Sequence, residues 1–179
     1  MTKEVIGIIG PIGSGKDIAG DYIADKLNVP SYQISSPLKQ ICADTGIEAT
    51  RENLIALGTN LAKEYHDGYL AEYILERMPD RGIITGMRQL GQIKFLKSSA
   101  KLTLISISAE PTVRFERVKK NDKLGEAKTL DEFIKRENAE NSPPNAQRLF
   151  ECMKLADYHV VNDGSVEELY AQLDEIIAE

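Results

Sequence analysis

The 179-residue sequence contains no tryptophan, only two cysteines and two histidines, and 6% aromatic residues. Cys42 and Cys152 lie in predicted helices without the spacing of metal ligands, so we interpret them as small buried hydrophobic residues in a reducing compartment. His66 and His159 have no partner at a spacing that suits metal or catalytic-triad chemistry. The scarcity of these residue types therefore argues against disulfides and against a site built on cysteine or histidine.

Two further absences concern partners. No apolar run approaches the roughly 20 residues of a membrane-spanning helix, and residues 1–4 lead directly into a predicted core strand rather than into a signal peptide. The net charge is −6, which argues against a general nucleic-acid partner but not against a nucleotide enzyme with a few cations in a cleft. We expect one soluble, cytoplasmic domain over residues 1–179, as a monomer or homodimer.

What the sequence does contain is a phosphate-binding motif. A short apolar run over residues 5–9 predicts a buried strand, the spacing G-x-x-x-x-G-K then matches a P-loop, and a helical pattern over residues 15–27 follows. The glycines of such a loop let successive backbone N–H groups point at a phosphate chain, and the helix N-terminus adds its dipole. The predicted nucleotide contacts are Gly10, Ile12, Gly13, Ser14, Gly15, Lys16, Asp17 and Ile18.

One residue of this motif departs from the P-loop rule. Asp17 stands where a serine or threonine hydroxyl normally holds Mg²⁺. Mg²⁺ usually keeps several waters and needs only one or two carboxylates in addition to phosphates, so Asp17 is a predicted metal ligand, directly or through water. Without a metal the same carboxylate would repel phosphate. The site is therefore either weakened or strictly dependent on metal.

Strands and helices alternate along the rest of the chain. This alternation predicts an α/β fold with a parallel sheet, whose active-site residues gather at the C-terminal ends of the strands. Polar residues 121–128 predict a loop. The predicted strands cover residues 5–9, 31–35, 82–86, 102–108 and 158–161. The predicted helices cover residues 15–27, 36–46, 50–78 in two pieces, 89–97 and 110–120, with further helices starting at Thr129, Ala146 and Ser165.

Basic residues are the next candidates, because phosphoryl transfer needs cations around the donor and acceptor phosphates. Arg114 and Arg117 lie three positions apart on one predicted helix face, which points to solvent when the site is open. A closing lid would bring both over the phosphates, where Arg suits bidentate contact. The alternative is a solvated basic face. Arg88 follows the predicted strand over residues 82–86, where it is either a phosphate contact or a surface charge.

These motifs together carry a resemblance. The stretches G-P-I-G-S-G-K-D, S-S-P-L-K, T-R-E-N-L-I-A-L-G-T-N-L and I-I-T-G-M-R resemble P-loop deoxynucleoside monophosphate kinases. The second half, with R-F-E-R-V-K-K, K-T-L-D-E-F-I-K-R-E and A-D-Y-H-V-V-N-D-G-S-V-E-E-L, also resembles the archaeal dephospho-CoA-kinase-like group. The resemblance implies a three-layer α/β/α P-loop fold with a five-stranded parallel sheet. It also implies a helical acceptor segment over residues 36–78 and a lid over residues 114–148.

The resemblance implies roles for individual residues as well. Lys16 would bind the donor phosphates, with Arg88, Arg114 and Arg117 as the other catalytic cations, and Asn162 would frame the donor adenine. The implied substrate-binding residues are Ser35, Lys39, Arg51, Arg88, Arg136 and Arg148. Two departures concern the metal: Ile18 replaces a threonine of the related motif, and Thr85 with Gly86 replaces an acid expected near the end of the third strand.

The leading hypothesis is therefore transfer of the γ-phosphoryl group of ATP to a (deoxy)nucleoside monophosphate. Mg²⁺ is the expected cofactor, and a small-molecule phosphate acceptor is the expected partner, with no nucleic acid or membrane. One alternative is a dephospho-CoA-kinase-like enzyme, whose hydroxyl acceptor needs a carboxylate base that does not stand out in the sequence. The other is a non-catalytic nucleotide-binding protein, suggested by the two altered metal positions. The sequence leaves the base and the sugar of the acceptor open, because they depend on the shape of the pocket.

Overall fold

A computed structural model describes residues 2–121 and 127–178 of the chain. Five strands alternate with helices in this part: β1 (Glu4–Ile9), β2 (Ser31–Gln33), β3 (Arg81–Thr85), β4 (Lys101–Ser108) and β5 (Tyr158–Val161). The helices are α1 (Lys16–Leu27), α2 (Ser36–Thr45), α3 (Arg51–Glu64), α4 (Tyr69–Arg77), α5 (Leu90–Ser99), α6 (Pro111–Lys120), α7 (Leu130–Glu140), α8 (Leu149–Met153) and α9 (Val166–Ile177). Most of the predicted loop over residues 121–128 lies outside the described residues.

The strands form one sheet in the order β2-β3-β1-β4-β5, and every pair is parallel. Because side chains alternate along a strand, β1 directs Val5 and Ile9 to one face and Ile8 to the other. Helices α2, α4, α5 and α8 cover the first face, and α1 and α9 cover the second. The predicted three-layer fold with a five-stranded parallel sheet is confirmed.

Helix starts follow the predicted capping residues. The Thr50 side chain accepts a hydrogen bond from Asn53 N, and Thr129 and Ser165 each form a capping box with the glutamate three positions later. Each cap pairs backbone donors that the first turn of a helix leaves free. The predicted starts of α3, α7 and α9 are therefore confirmed.

One predicted helix is much shorter than expected. The helix that the sequence places from Ala146 begins only at Leu149. Arg148, the N-cap of α8, has φ −143° and ψ 50°, which lie outside the helical region. The segment before α8 contacts other elements instead: Ala146 N donates to Thr59 Oγ1, and Arg148 N donates to Arg88 O. Within residues 2–121 and 127–178, no helix combines the length and apolar character needed to cross a bilayer.

Candidate active site

The loop between β1 and α1 has the backbone of a phosphate cradle. Gly13 and Gly15 have φ angles of 78° and 94°, which only glycine adopts without strain. A Cβ atom on Gly10 would lie 2.3 Å from Ile107 O and 2.5 Å from the Ser14 hydroxyl. Ser14 is fully buried, and its Oγ has no hydrogen-bond partner in the part of the chain that is described. The loop therefore fits a bound anion.

Lys16 and Asp17 stand at the end of this loop. The Lys16 side chain is only 11% exposed, and its Nζ lies 3.5 Å from Asp17 Oδ2. Burial lowers the pKa of Lys16, an effect that Asp17 opposes and that the charges of Arg88 and Arg51 reinforce. A bound phosphate would favour the charged lysine.

A cavity of about 330 Å³ opens beside the P-loop, between α2, α3 and the start of α5. Its walls combine three kinds of side chain. The apolar ones include Ile34, Leu38, Leu54, Ile55 and Leu70. The amides are Gln33, Gln89, Gln92 and Gln147, and the charged groups are Lys16, Asp17, Arg51, Arg88 and Glu140.

Arg88 is an unpaired cation in this cavity. No side-chain hydrogen bond or ion pair of its guanidinium is found among residues 2–121 and 127–178. Burial lowers the pKa of Arg88 to about 10, and the nearby charge of Arg51 contributes, although Glu140, Glu137 and Asp17 act in the opposite direction. A desolvated guanidinium with free donors favours an anionic ligand.

Arg51, by contrast, is already paired. Its Nε and Nη2 each donate to a carboxylate oxygen of Glu140 at 2.5 Å. The Glu140 side chain is buried, and Arg136 Nε also lies 3.6 Å from it. Arg136 pairs in addition with Glu52. These ion pairs join the start of α3 to the end of α7.

Comparison with known proteins shows the family of this chain. No model of a known protein family matches the sequence. A UPF0200 protein of Methanocaldococcus jannaschii is 31% identical over 181 residues, covering 98% of this chain and 89% of that protein. The chain belongs to the UPF0200 family. A UPF0200 protein of Staphylothermus marinus is 28% identical over 173 residues and covers 95% of the chain and 89% of that protein.

Solved structures resemble this UPF0200 protein in fold. A shikimate kinase from Acinetobacter baumannii superposes with a TM-score of 0.60 at 17% identity, covering 99% of this chain and 94% of the other. A gluconokinase from Sinorhizobium meliloti gives a TM-score of 0.52 at 17% identity, covering 98% and 94%. These similarities establish a P-loop kinase-like fold. The narrower resemblance to nucleoside monophosphate kinases stays a prediction.

Two of the predicted catalytic arginines do not have the expected orientation. Arg114 is 4% exposed and forms a bidentate pair with Glu137 at 2.7 and 2.9 Å. Arg117 donates to Asn162 O at 2.8 Å and to Gly164 O at 3.1 Å. The prediction of a solvent-facing pair is wrong, because this face of α6 packs against the P-loop and the loop after β5. Contact of either arginine with phosphate stays a prediction.

The other predicted residues of the UPF0200 chain divide into two groups. Ser35, like Arg51 and Arg88, lines the cavity. Lys39 is exposed, with its Nζ 3.4 Å from Gln33 Oε1, and the Arg148 guanidinium folds back onto the carbonyls of residues 145 and 147. Neither of these side chains lines the cavity. Asn162 is buried and donates to Ser14 O at 2.8 Å, so it does contact the P-loop.

Sequence reasoning missed the acids of α7. Glu137 and Glu140 are 6% and 7% exposed. They follow Phe133 at intervals of four and three residues, which places all three on one helix face. A carboxylate on an apolar face needs a cationic partner. That spacing was the available signal for both ion pairs.

The residues around Asp17 determine which kind of metal site is possible. In the described ranges, no three His, Cys, Asp or Glu side chains are grouped to hold an ion. Asp17 is 56% exposed at its side chain, and Thr85 and Gly86 line the cavity where an acid was expected. This set does not suit a resident metal. It fits Mg²⁺ that arrives with a nucleotide and takes phosphate and water oxygens plus one carboxylate.

Proposed function

We propose that this UPF0200 protein transfers the γ-phosphoryl group of ATP to the phosphate of a nucleoside monophosphate. The observation that carries the proposal is the unpaired guanidinium of Arg88, which lines the same cavity as the P-loop lysine, Lys16. One cation serves the donor phosphates and the other the acceptor phosphate. In-line transfer depends on such positioning and charge neutralisation rather than on covalent help from the protein.

The donor side is the P-loop. Its backbone N–H groups and the N-terminus of α1 would hold the phosphate chain of ATP, with Lys16 beside the β- and γ-phosphates. Asp17 would hold Mg²⁺, directly or through water. When bound, Mg²⁺ supplies neutralisation of the charge on the phosphate oxygens. Asn162 fixes the loop after β5 against the P-loop through its bond to Ser14 O, which supports a role of that loop beside the adenine.

The acceptor side is built on Arg88 and Arg51. Burial and, as the second cause, repulsion by Arg51 lower the pKa of Arg88. A phosphate dianion between the two cations would favour the charged form of Arg88. Arg51 would share its donors between this phosphate and Glu140. An acceptor that is already a phosphate anion requires no strong general base. This matches a cavity whose buried carboxylate, Glu140, is bidentate to Arg51.

The same observation disfavours a hydroxyl acceptor, as in a dephospho-CoA-kinase-like reaction. A hydroxyl must lose its proton to a base within about 3 Å. Glu140 has both oxygens committed to Arg51, and Asp17 stands on the donor side next to Lys16. We therefore rank the phosphate acceptor first.

Release of ADP tests the proposal. The protein is mixed with ATP, Mg²⁺ and one acceptor at a time. The acceptors are a panel of nucleoside monophosphates and, as alternative substrates that carry a hydroxyl acceptor, dephospho-CoA, shikimate and gluconate. We expect turnover with at least one monophosphate and none with the three hydroxyl acceptors. Turnover with a hydroxyl acceptor alone, or ATP binding without any turnover, contradicts the proposal.

Two site variants, each with a control variant at an exposed position, test whether the activity depends on Lys16 and Arg88. Lys16→Ala is expected to lower kcat by at least about 100-fold, a loss typical of an electrostatic catalytic contact, whereas Lys94→Ala on the exposed face of α5 should leave it unchanged. Arg88→Met should raise KM for the acceptor far more than KM for ATP. Its control is Arg77→Met, because Arg77 is exposed and remote from the cavity.

A further inference from the structure

The side-chain amide of Gln147 lies in the cavity without a hydrogen bond. Its Oε1 is buried, and no donor in the described part of the chain reaches it. An unpaired buried carbonyl oxygen is destabilising, so such groups are rare in proteins and indicate a partner that is absent. Gln147 lines the same cavity as Arg88. A ligand group with an N–H or O–H donor would satisfy this oxygen.

The backbone fixes Gln147 at this position. On one side, Ala146 N donates to Thr59 Oγ1 of α3 at 3.2 Å. On the other side, Arg148 N donates to Arg88 O at 2.7 Å. These two bonds hold the backbone on either side of Gln147 beside the cavity. The side chain therefore starts from a fixed point on the cavity wall.

Two other glutamines in the cavity do not share this property. Gln92 Oε1 accepts from Arg88 N at 2.9 Å, and Gln92 Nε2 donates to Gln89 Oε1 at 3.2 Å. Gln89 Nε2 lies 3.4 Å from Gly58 O. These amides bond to each other and to the backbone, and they hold the loop that carries Arg88. Gln147 remains the amide whose buried oxygen is available to a ligand.

The surrounding wall decides what kind of ligand fits. Leu38, Leu54, Ile55 and Leu70 supply an apolar surface. A polyhydroxy acid would lose hydrogen bonds to water against these side chains, whereas the faces of a planar heterocycle form few such bonds and can be buried there at lower cost. A heterocycle also presents a hydrogen-bonding edge to the amide. The cavity thus offers Arg88 to a phosphate and Gln147 to the edge of a base.

We propose that Gln147 selects an acceptor whose base carries an exocyclic amino group, adenine or cytosine. Gln147 Oε1 accepts a hydrogen bond from that amino group, and Nε2 donates to the adjacent ring nitrogen. In hypoxanthine or uracil the pattern is reversed: a carbonyl oxygen replaces the amino group, and the adjacent ring nitrogen carries a proton. Such a base pairs with Gln147 only after the amide has turned over, which places Nε2 in the buried position that Oε1 now occupies. This inference rests on the proposed function, since it names the base of the same acceptor.

The test measures binding before turnover. Calorimetry compares AMP with IMP, and CMP with UMP, because each pair differs at the amino or oxo group and the adjacent ring nitrogen. Ribose 5-phosphate has no base, so its affinity measures the contribution of the sugar phosphate without the base contact. The variant Gln147→Met keeps the length of the side chain and removes both hydrogen bonds. Gln40→Met on the exposed face of α2 controls for the substitution itself.

We expect the wild type to bind AMP or CMP about 10- to 100-fold more tightly than its oxo counterpart, as the loss of one buried hydrogen bond predicts. Gln147→Met should abolish this ratio and leave the affinity for ribose 5-phosphate unchanged. The variant should also unfold at the same or a higher temperature, because it removes an unsatisfied buried oxygen. A purely structural Gln147 would instead lower the unfolding temperature and weaken every ligand equally.

The outcomes separate this inference from the proposed function. Equal binding of amino and oxo bases, or an unchanged ratio in Gln147→Met, overturns the role of Gln147 while turnover of a monophosphate still supports the kinase. Failure of every monophosphate and of ribose 5-phosphate to bind overturns both. Selective binding of AMP or CMP without ADP release supports the base contact and contradicts the phosphotransferase.

Discussion

Arg51 and Glu140 form a bidentate ion pair across 89 residues of sequence, with both donor–acceptor distances at 2.5 Å. Arg51 is the first residue of α3, and Glu140 is the last residue of α7. Both side chains line the cavity. The pair therefore connects the predicted acceptor segment to the predicted lid at the place where the acceptor would bind.

Loss of the Glu140 charge should destabilise the protein. Glu140→Gln leaves Arg51 with one neutral acceptor in place of a carboxylate and also removes the charge beside Arg136. We expect a decrease of about 1–3 kcal/mol in the free energy of unfolding, less than for a fully buried pair because Arg51 is partly exposed. Urea denaturation measures it. The control is Glu175→Gln, because Glu175 is an exposed residue of α9. An equal loss of stability in both variants would mean that the ion pair of Glu140 with Arg51 does not stabilise the fold.

Arg114 should act as a structural residue. Arg114→Met leaves Glu137 buried and unpaired, and we expect a loss of about 3–5 kcal/mol in the free energy of unfolding. The double variant Arg114→Met with Glu137→Met removes both charges and should recover most of that stability. Thermal and urea unfolding of the wild type, both single variants and the double variant give the free energies of unfolding for a double-mutant cycle. A single variant with normal stability and lost turnover would restore the original prediction of a catalytic cation.

The contrast between Arg88 and Arg114 shows what the sequence could predict. Arg88 follows a strand closely, and the ends of parallel strands gather at one edge of the sheet, so a local pattern placed it at that edge. The pattern left open whether Arg88 contacts phosphate or is a surface charge. The environment of Arg114 depends on Glu137, 23 positions along the chain and on another helix. No local pattern in the helix of Arg114 contains that information.

The P-loop and Gln147 show the same difference between local sequence patterns and long-range contacts. Glycine spacing and capping residues act within a few positions, and the P-loop and the starts of α3, α7 and α9 were predicted from them. Gln147 occupies the cavity because its neighbours bond to Thr59 and Arg88. Both contacts join residues that are far apart in the sequence, and the local helical pattern that begins at Ala146 does not contain them. The amide could therefore not be recognised as a site residue from the sequence alone.

A bound acceptor should stabilise the fold through Arg88. A nucleoside monophosphate at 100 times its dissociation constant adds about 2.7 kcal/mol to the free energy of unfolding, which corresponds to a rise of about 5–10 °C in Tm for a chain of this size. Differential scanning fluorimetry with and without the nucleotide measures the rise. In Arg88→Met the rise at the same nucleotide concentration should largely disappear.

Arg77→Met is the matched variant for this measurement, because Arg77 lies on the exposed end of α4, over the Tyr73 ring. It should show the full rise in Tm. An undiminished rise in Arg88→Met would mean that the phosphate binds elsewhere, and the acceptor site would then have to be built on cations other than Arg88.

Asp17 allows a test of the metal assignment. Asp17→Asn retains a side-chain oxygen but removes the charge next to Lys16. If Asp17 holds Mg²⁺ on the nucleotide, the Mg²⁺ concentration for half-maximal turnover should rise several-fold at constant ATP, because a neutral amide is a weaker ligand for a hard cation. Affinity for ATP without metal should rise in the same variant, since the carboxylate no longer repels phosphate. An inert Asp17 would change neither quantity, and a carboxylate that only orients Lys16 would change turnover equally at every Mg²⁺ concentration.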